Sequence, residues 1–469
     1  MSSITEEHKP IPRNASLAPP AISAAMIRRK RLGAAFAPRF FLLLIIGLIW
    51  LGPASIHPQF LYGMLAWDLL VLVAWFVDFA GLPKPSRVTA SRVWRAPASL
   101  SVSSEISLEL QNQCGRDLRV ILTDNVPAAL REELPVLEMT LPARGSASAR
   151  YTIQPMKRGD MEIGALYIRY SSFFRLAERW AVAELSGKVR VYPNLEVARQ
   201  HAIYMIRSRQ IDLERRRSRT RGQGREFESL REYQEGDDLR TLCWSASARR
   251  GKLITRQFQI ERSQSIWLVL DTGRLMRAKI SGLSKLDYAT GAALSLAEVA
   301  LGSGDRVGLL SYGRAVRQRV MPGRGGSHLR HIIENLAQVK EEATESNPLQ
   351  AAAALLGKQS RRSLAVWITD LAETAITPEV IDAARLLLSR HVVVLLVIGQ
   401  PDLGEMASRT PDSVERMYLS AAAQEMTHRR EVLLALLRQR GALALEVDSA
   451  GAAAAAVNSY LEVKERNLL

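Results

Sequence analysis

An apolar run without a single charged residue, Phe40–Ile56, is the feature that most constrains what this chain can fold into. A second apolar stretch, Phe60–Leu82, follows after a His-Pro-Gln break. As a helix the first run is about 25 Å long, just enough to cross a thinned hydrocarbon core of about 30 Å. The second stretch contains Asp68 and Asp78. A central aspartate costs about 2.5–3.5 kcal/mol, whereas each Leu, Val or Phe returns about 0.3–0.6 kcal/mol. Together the runs predict a two-helix transmembrane hairpin over residues 40–82.

Basic residues flank both ends of the predicted hairpin, and the turn between its two runs carries none. They are Arg28, Arg29, Lys30, Arg31 and Arg39 on one side, and Lys84, Arg87, Arg92 and Arg95 on the other. By the positive-inside rule, we expect both termini on the cytoplasmic side. Residues 1–39 are expected to form a disordered basic N-terminus. Attraction to anionic lipid explains part of the net charge of +16. Asp68 has two interpretations: either it is buried against the first helix or lies at a water defect, or it contacts a membrane partner.

Period-two hydrophobic alternation, interrupted by Gly and Pro, dominates residues 83–192. Such alternation is typical of half-buried antiparallel strands and predicts a small β-sandwich. Residues 193–262 are polar and arginine-rich. They are interpreted as a flexible, solvated connector. A nucleic-acid-binding arm is the alternative, although the arginines are mixed with acidic residues rather than with stacking aromatics.

Short continuous apolar runs separated by helical stretches fill residues 263–469. The runs are IWLVLD, RVGLLSY, LAVWITD, VVVLLVIG and ALALEVD. Strands buried on both faces and alternating with amphipathic helices indicate a mostly parallel sheet wrapped by helices. We therefore predict a doubly wound α/β domain here.

Among the predicted parallel strands that end in an aspartate, the two that end at Asp271 and Asp370 form the pair considered for a site. Ligands of doubly wound sheets bind beyond the carboxyl ends of the strands, so this pair is the candidate site. Two carboxylates brought together need a cation, a proton or an arginine between them. Magnesium would suit such hard oxygen ligands. The alternative is that each aspartate simply ends its strand.

A long motif in residues 224–262, GREFESLREYQEGDDLRTLCWSASARRGKLITRQFQIER, resembles the signature of the family called domain of unknown function fifty-eight. The matching residues are Gly224, Glu226, Phe227, Leu230, Arg231, Tyr233, Gly236, Asp237, Asp238, Arg240, Trp244, Ala248, Arg249, Gly251 and Leu253. Cys243 departs from the pattern, which usually has an aspartate before the tryptophan. The resemblance implies a protein of the bacterial inner (cytoplasmic) membrane, with a C-terminal domain similar to von Willebrand factor A domains. It further implies a partner ATPase of the MoxR type, in the AAA+ class.

A domain similar to von Willebrand factor A implies a metal site built from Asp-x-Ser-x-Ser, a Thr and a second Asp. Here the stretch begins Asp271-Thr272-Gly273-Arg274-Leu275, so both serine hydroxyls are missing. Asp271 and Asp370 remain as weak candidate ligands, and no Thr is assignable within 344–347. Because magnesium needs about six oxygen ligands, we expect no useful magnesium affinity and no cofactor. We expect an arginine, with Arg274 the nearest, to neutralise the carboxylates partly.

No catalytic motif supports an enzyme: the sequence contains no phosphate-binding loop, no nucleophile elbow and no zinc-protease motif. The two cysteines, Cys114 and Cys243, are too far apart for a zinc ribbon. We therefore predict a membrane-anchored, non-enzymatic interaction or assembly factor acting with the ATPase, other membrane or A-domain proteins, and inner-membrane lipid. The alternatives are a membrane-tethered nucleic-acid binder and, less supported, a hydrolase. Candidate partner-binding residues are Asp271, Arg274, Asp370, Arg231, Tyr233, Asp237, Asp238, Arg240 and Trp244.

Overall fold

The computed structural model describes most of the chain outside the arginine-rich region. It covers residues 23–172, 174–194, 226–234, 242–259, 263–371, 379–466 and 468–469, with the single positions 196, 198 and 200. Much of the predicted connector, including Asp237, Asp238 and Arg240, lies outside the described residues.

Three apolar helices follow an N-terminal strand: α1 (Pro38–Gly47), α2 (Leu51–Ala54) and α3 (Phe60–Gly81). Among the described residues, α3 is the one helix long and apolar enough to cross a membrane, and Pro38–Ala54 is a shorter apolar stretch. The indole of Trp67 donates to the carbonyl oxygen of Leu43 (2.9 Å), so α3 packs on α1. Gly47 permits this approach, because a Cβ there would lie 2.7 Å from the Trp67 ring and 3.1 Å from the Asp68 carboxylate. Asp68 therefore lies against α1, as the first of its two interpretations requires.

Asp78 joins the end of α3 to the β-domain that follows it. Its carboxylate accepts hydrogen bonds from the Ser172 hydroxyl and from the backbone N–H groups of Leu176 (3.1 Å) and Ala177 (3.0 Å). These bonds satisfy a charge that an apolar helix could not otherwise bury. The predicted cost of Asp78 within a membrane span is therefore avoided, because its side chain belongs to the β-domain.

The β-domain is built from antiparallel strands in the order β5-β4-β8-β9-β1-β2-β3-β6, with a separate pair β10-β7. Alternate side chains along these strands are buried, as in β2 and β4. They form one hydrophobic core, to which strands from both ends of the sheet contribute. The strands are β1 (Ser23–Phe36), β2 (Val88–Trp94), β3 (Ser104–Asn112), β4 (Leu118–Asp124), β5 (Val136–Leu141), β6 (Ser146–Ile153), β7 (Gly159–Ile163), β8 (Leu166–Ser171), β9 (Ala177–Ala183) and β10 (Gly187–Val191).

Strand β1 corrects the expectation of a disordered N-terminus over residues 1–39, of which 1–22 lie outside the described residues. Residues 23–26 pair with β2, and residues 27–36 pair with β9 across a register shift. The strand thus satisfies the backbone groups of two sheet edges that would otherwise be open, which is a reason for this basic segment to be ordered.

Arg92 corrects a second expectation, because it does not flank the membrane as a free basic residue. It is 2% exposed in the β-domain core. Its guanidinium forms a bidentate ion pair with the Asp124 carboxylate. It also donates hydrogen bonds to the carbonyl oxygens of Leu185 (2.8 Å) and Gly164 (3.0 Å). It therefore contributes nothing to the membrane-facing charge.

A small unit replaces part of the predicted flexible connector. Strands β11 (Glu226–Glu232) and β12 (Ile254–Gln259) pair antiparallel, and helix α4 (Trp244–Arg250) lies between them in sequence. Cys243, Ala246 and Ile254 form its small buried cluster. The position at which Cys243 departs from the family pattern is thus a packing position, where a thiol is a suitable small apolar group.

A six-stranded sheet organises the C-terminal region, in the order β17-β16-β13-β18-β19-β20. All neighbours are parallel except β16 and β17. The five predicted runs correspond to β13 (Ser265–Asp271), β16 (Arg306–Tyr312), β18 (Leu364–Thr369), β19 (Val392–Ile398) and β20 (Leu443–Val447), and β17 (Val316–Gly323) is an added edge. A short pair, β14 (Lys279–Ile280) and β15 (Leu283–Ser284), precedes the first helix of this domain.

Helices cover both faces of this sheet, as predicted for a doubly wound arrangement. One face packs against α5 (Lys285–Gly302), α6 (Gly325–Gln338) and α11 (Ala452–Glu465). The other packs against α7 (Pro348–Leu356), α8 (Glu379–Leu388) and α10 (Val414–Gln439), while α9 (Pro401–Ser408) precedes α10. Successive residues of β13 alternate between the two cores, as a strand buried on both faces requires.

The β-domain and the α/β domain are joined through buried and half-buried polar contacts. Arg158, whose side chain is 4% exposed, donates to the carbonyl oxygen of Val339 (3.0 Å). Arg190 pairs with Glu334, which also accepts from the Tyr192 hydroxyl (2.9 Å). Arg158 belongs to an Arg-Gly-Asp sequence, and its position makes that sequence part of a domain interface.

His391 gives the α/β domain a pH-dependent stability. It is 3% exposed just before β19, its Nδ1 lies 3.0 Å from the Ser363 hydroxyl, and burial, with a smaller contribution from Arg390, lowers its pKa. Because the pKa of His391 is lowered in the folded chain, the unfolded chain takes up the proton near pH 6.5 and the folded chain only at a lower pH. Stability therefore falls as pH falls below about 6.5, by at most about 1.4 kcal/mol per pH unit. Urea titrations at pH 7.5 and 5.5 test this. Between pH 7.5 and pH 5.5, His391→Gln should lose less free energy of unfolding than the wild type. An identical loss in both proteins would contradict the role of His391 in the pH dependence.

Candidate functional site

Asp271 and Asp370 lie side by side at the carboxyl edge of the sheet, as predicted. Strands β13 and β18 are parallel neighbours with Leu270 opposite Ile368, so their ends meet. The hydroxyl of Thr369, the residue before Asp370, donates to Asp271 Oδ2 (2.6 Å). Asp271 is 5% exposed and Asp370 is 3% exposed. Both candidate residues are therefore buried at the carboxyl ends of their strands.

Neutral donors surround Asp271. Its Oδ1 accepts from the backbone N–H of Gly273 (2.8 Å), and its Oδ2 accepts from the Ser346 hydroxyl (3.0 Å) as well as from Thr369. Burial raises the pKa of Asp271, while these three hydrogen bonds act in the opposite direction. Ser346 thus supplies a hydroxyl from the 344–347 segment, in which no Thr was assignable from the sequence.

Gly273 is required by the close approach of the Ser346 loop. A Cβ at position 273 would lie 2.9 Å from the Ser346 Cβ and 3.0 Å from its backbone nitrogen, closer than side chains pack. The loop is also fixed by backbone hydrogen bonds, from Arg274 N to Thr344 O (2.9 Å) and from Glu342 N to Thr272 O (2.7 Å). The serine that the resemblance implies at position 273 therefore does not fit, because Ser346 occupies that space.

Two cations neutralise Asp370. The ammonium of Lys285, at the start of α5, lies 2.6 Å from Asp370 Oδ2, and both side chains are almost fully buried. Arg430 of α10 lies 3.4 Å from Asp370 Oδ1 and also pairs with Glu446 (2.5 Å). The α5 start is fixed by a capping box between Ser284 and Asp287, which holds Lys285 at the strand ends.

The expectation that Arg274 neutralises the carboxylates is wrong. Arg274 pairs instead with Glu345 at 3.3 Å on the exposed rim of the site. The Arg274 side chain is 45% exposed, at the start of the short helical turn Arg274–Arg277. An arginine does contact Asp370, but it is Arg430, and the ammonium of Lys285 lies closer.

The residues present do not fit a magnesium ion. Magnesium needs near-octahedral oxygen coordination at about 2.0–2.1 Å. Here a lysine ammonium and a guanidinium already contact Asp370, and three hydrogen-bond donors contact Asp271. Within the described part of the chain, no group of three or more His, Cys, Asp or Glu side chains is arranged to hold a metal. A metal would have to displace Lys285.

The family-signature residues lie in the β11–α4–β12 unit where they are described. The backbone N–H of Tyr233 donates to Leu253 O (2.9 Å), and Lys252 pairs with Glu232 (3.0 Å). Trp244 is 69% exposed at the start of α4, and Arg231 lies in β11. Trp244 is thus a large apolar side chain available to a partner.

Lys285, Arg430, Ser346 and Thr369 were missed by the sequence analysis. Arg430 precedes the buried Leu433, Leu434 and Leu437 at spacings of three, four and seven, which is the apolar stripe of α10. Lys285 likewise begins the buried face of α5. A basic residue on an apolar stripe is the signal that could have identified both, because a buried charge requires a partner.

Comparison with known proteins identifies relatives without a described activity. Uncharacterized protein Rv1480 of Mycobacterium tuberculosis (strain ATCC 25618 / H37Rv) is 30% identical over 151 residues, which are 32% of this chain and 48% of that protein. The chain thus spans about half the length of that relative. Uncharacterized protein YeaD of Bacillus subtilis (strain 168) is 23% identical over 299 residues, 60% of this chain and 70% of that protein.

Among solved structures, the conserved hypothetical protein BatB from Bacteroides thetaiotaomicron matches 44% of this chain and 100% of its own, with 15% identity and a TM-score of 0.31. The model of the family described as protein of unknown function DUF58 matches residues 229–432. These residues include much of the signature motif, both strand-end aspartates, Lys285 and Arg430. The predicted family resemblance is confirmed over residues 229–432.

Proposed function

We propose that this protein is a membrane-anchored, non-enzymatic docking factor whose α/β domain binds a partner protein without a metal ion. The observation that carries the proposal is the neutralised carboxylate pair, in which Lys285 and Arg430 supply the positive charge beside Asp370. With its charge balanced by these two side chains, the edge positions the rim formed by Arg274 and Glu345 without requiring a metal ion. Because both carboxylates are buried, Asp271 acts through its hydrogen bonds to Gly273 and Ser346, and Asp370 acts through Lys285 and Arg430.

The α/β domain is best interpreted as similar to von Willebrand factor A domains. Its mostly parallel sheet has one antiparallel edge and three helices on each face, which supports that interpretation. From the family resemblance we infer a MoxR-type AAA+ ATPase as the partner that supplies energy. The exposed Trp244 offers a second contact for it.

We further infer that the continuous helical stretch Pro38–Ala54, which contains α1 and α2, forms one arm of a two-helix hairpin in the bacterial inner membrane, and that α3 forms the other. The large apolar side chains of these helices are exposed rather than packed in a core, which supports contact with lipid. In this arrangement both termini lie on the cytoplasmic side. Reporter fusions after Ser86 and at Leu469 should therefore be active only as cytoplasmic reporters. Periplasmic activity of either fusion would contradict the orientation.

Site-specific photo-crosslinking tests the docking edge. The full chain in native membranes, with a photoreactive residue at Glu345, should crosslink to a subunit of the AAA+ ATPase. The same residue at Arg361, exposed before the amino end of β18, serves as the control on the opposite edge and should not. EDTA should leave the Glu345 crosslink unchanged. Equal labelling from both positions, or a loss with EDTA that magnesium reverses, would contradict the proposal.

A further inference from the structure

A large groove lies between α3 and the β-domain and has no role in the docking edge. Its volume is 830 Å³, within the range of ligand sites, which is about 300–1,000 Å³. One wall is the apolar side of α3, with Leu70, Val73, Ala74 and Val77. Phe174, which is 67% exposed, contributes to the opposite wall. The chain therefore has an apolar groove along the helix that is long enough to span a membrane.

The groove changes character at the end of α3. There it is lined by Asp78, Arg116, Asp117 and Ser172, all polar or charged. Arg116 is exposed, and its Nη1 donates to the carbonyl oxygen of Gly81 (3.0 Å) at the end of the helix. A ligand that fills the whole groove must therefore be amphipathic, with its apolar part along α3 and its polar part beside Arg116.

Charge at the polar end favours an anionic group. Asp78 is buried and accepts three hydrogen bonds from the β-domain, and Asp117 accepts from the backbone N–H of Ala143 (2.7 Å). These donors satisfy the hydrogen-bonding needs of both carboxylates but leave their negative charges in place, so the positive charge at this end comes from three basic side chains, Arg116, Lys84 and Arg87. Lys84 and Arg87 are exposed just after α3 and add to the positive charge of Arg116.

We propose that this groove binds one anionic phospholipid, with an acyl chain along α3 and the phosphate at Arg116. The inference rests on the membrane placement of α3 proposed above, which puts the polar end at headgroup level. A partner's transmembrane helix fits less well, because its apolar surface would have to lie against the charged side chains of Asp78, Arg116 and Asp117 at the polar end. The lipid would fix the angle between the span and the β-domain.

Native mass spectrometry of the full chain, released from nanodiscs of defined lipid, tests the proposal. With phosphatidylglycerol the chain should retain one lipid, and with phosphatidylcholine it should retain little. Arg116→Gln should weaken retention roughly tenfold, since it removes a charge-assisted hydrogen bond. Ala74→Trp should abolish retention by filling the groove. Leu72→Trp is the matched control, because Leu72 is exposed on α3 and does not line the groove.

Different results would contradict the lipid site in the groove and the membrane placement of α3 on which it rests. If the chain sediments with membranes but Ala74→Trp and Leu72→Trp retain equal lipid, the groove assignment is overturned while the anchor stands. If the chain leaves the membrane without detergent, the membrane placement itself fails. A photoreactive residue at Val77 that captures a protein helix rather than lipid would also overturn the assignment.

Discussion

Replacing Arg92 by methionine should lower the free energy of unfolding of the β-domain by about 3–5 kcal/mol, the usual cost of removing one partner of a buried ion pair. The side chain of Asp124 is fully buried, and without Arg92 it would keep the Tyr151 hydroxyl (2.6 Å) as its remaining side-chain donor among the described residues. The carbonyl oxygens of Leu185 and Gly164 would each lose a donor as well. Urea titration of the full chain in mild detergent measures the change.

Arg119→Met is the matched control on the neighbouring part of the same domain. Arg119 pairs with Glu138 at 2.7 Å, but both side chains are about half exposed, so its loss should cost about 0–1 kcal/mol. The double replacement Arg92→Met with Asp124→Leu should recover part of the stability, because no uncompensated charge remains. Similar losses for Arg92→Met and Arg119→Met would show that the pair at the core is not buried in solution.

Arg92 also shows where the sequence could have been interpreted better. In β2 the residues Val88, Ala90, Arg92 and Trp94 share one parity and face the core. Its closeness to the apolar runs made Arg92 count as a membrane-flanking charge, although strand periodicity placed it inside. The neighbouring basic residues predicted that Arg92 faces the membrane surface, whereas the two-residue period of the strand predicted that it faces the core. The strand period was correct, because the pairing of a strand fixes the face on which each side chain lies.

The α/β region was predictable because its strands are buried on both faces and so read as uninterrupted apolar runs. The edge strand Val316–Gly323 escaped prediction, because its exposed face carries Arg317 and Arg319 and its pattern is mostly polar. Strand β1 escaped for a related reason: its pairing with two distant strands depends on tertiary contacts that no local pattern encodes.

In the candidate site, too, one part was predictable from the sequence and another part was not. The proximity of Asp271 and Asp370 follows from two strand ends in a parallel sheet, and so the sequence predicted it. Lys285 and Arg430 reach Asp370 from helices 85 and 60 residues away in sequence. Sequence proximity favoured Arg274 only because it is near Asp271. Which cation enters such a site depends on helix placement.

Replacing Lys285 by methionine should destabilise the α/β domain by about 3–5 kcal/mol, because the buried Asp370 carboxylate would lose the ammonium that lies 2.6 Å from it, while Arg430 is farther away at 3.4 Å. Lys279→Met, at a nearby exposed lysine, should change stability by less than about 0.5 kcal/mol and is the control. Thermal unfolding of the full chain in mild detergent measures both.

Magnesium separates the role of Lys285 as a cation from its role in packing. The wild-type chain should show no change in melting temperature with magnesium and no micromolar 1:1 site by calorimetry, because Lys285 already neutralises Asp370. In Lys285→Ala the Asp370 carboxylate loses this ammonium. Asp271, Ser346 and Thr369 beside it offer oxygen atoms that can ligate a metal ion, so magnesium should restore part of the lost stability. Lys285→Met should show less restoration, since its side chain still fills the space. Magnesium binding by the wild type, or equal responses of all three proteins, would contradict the conclusion that the ammonium stands in the place of a metal ion.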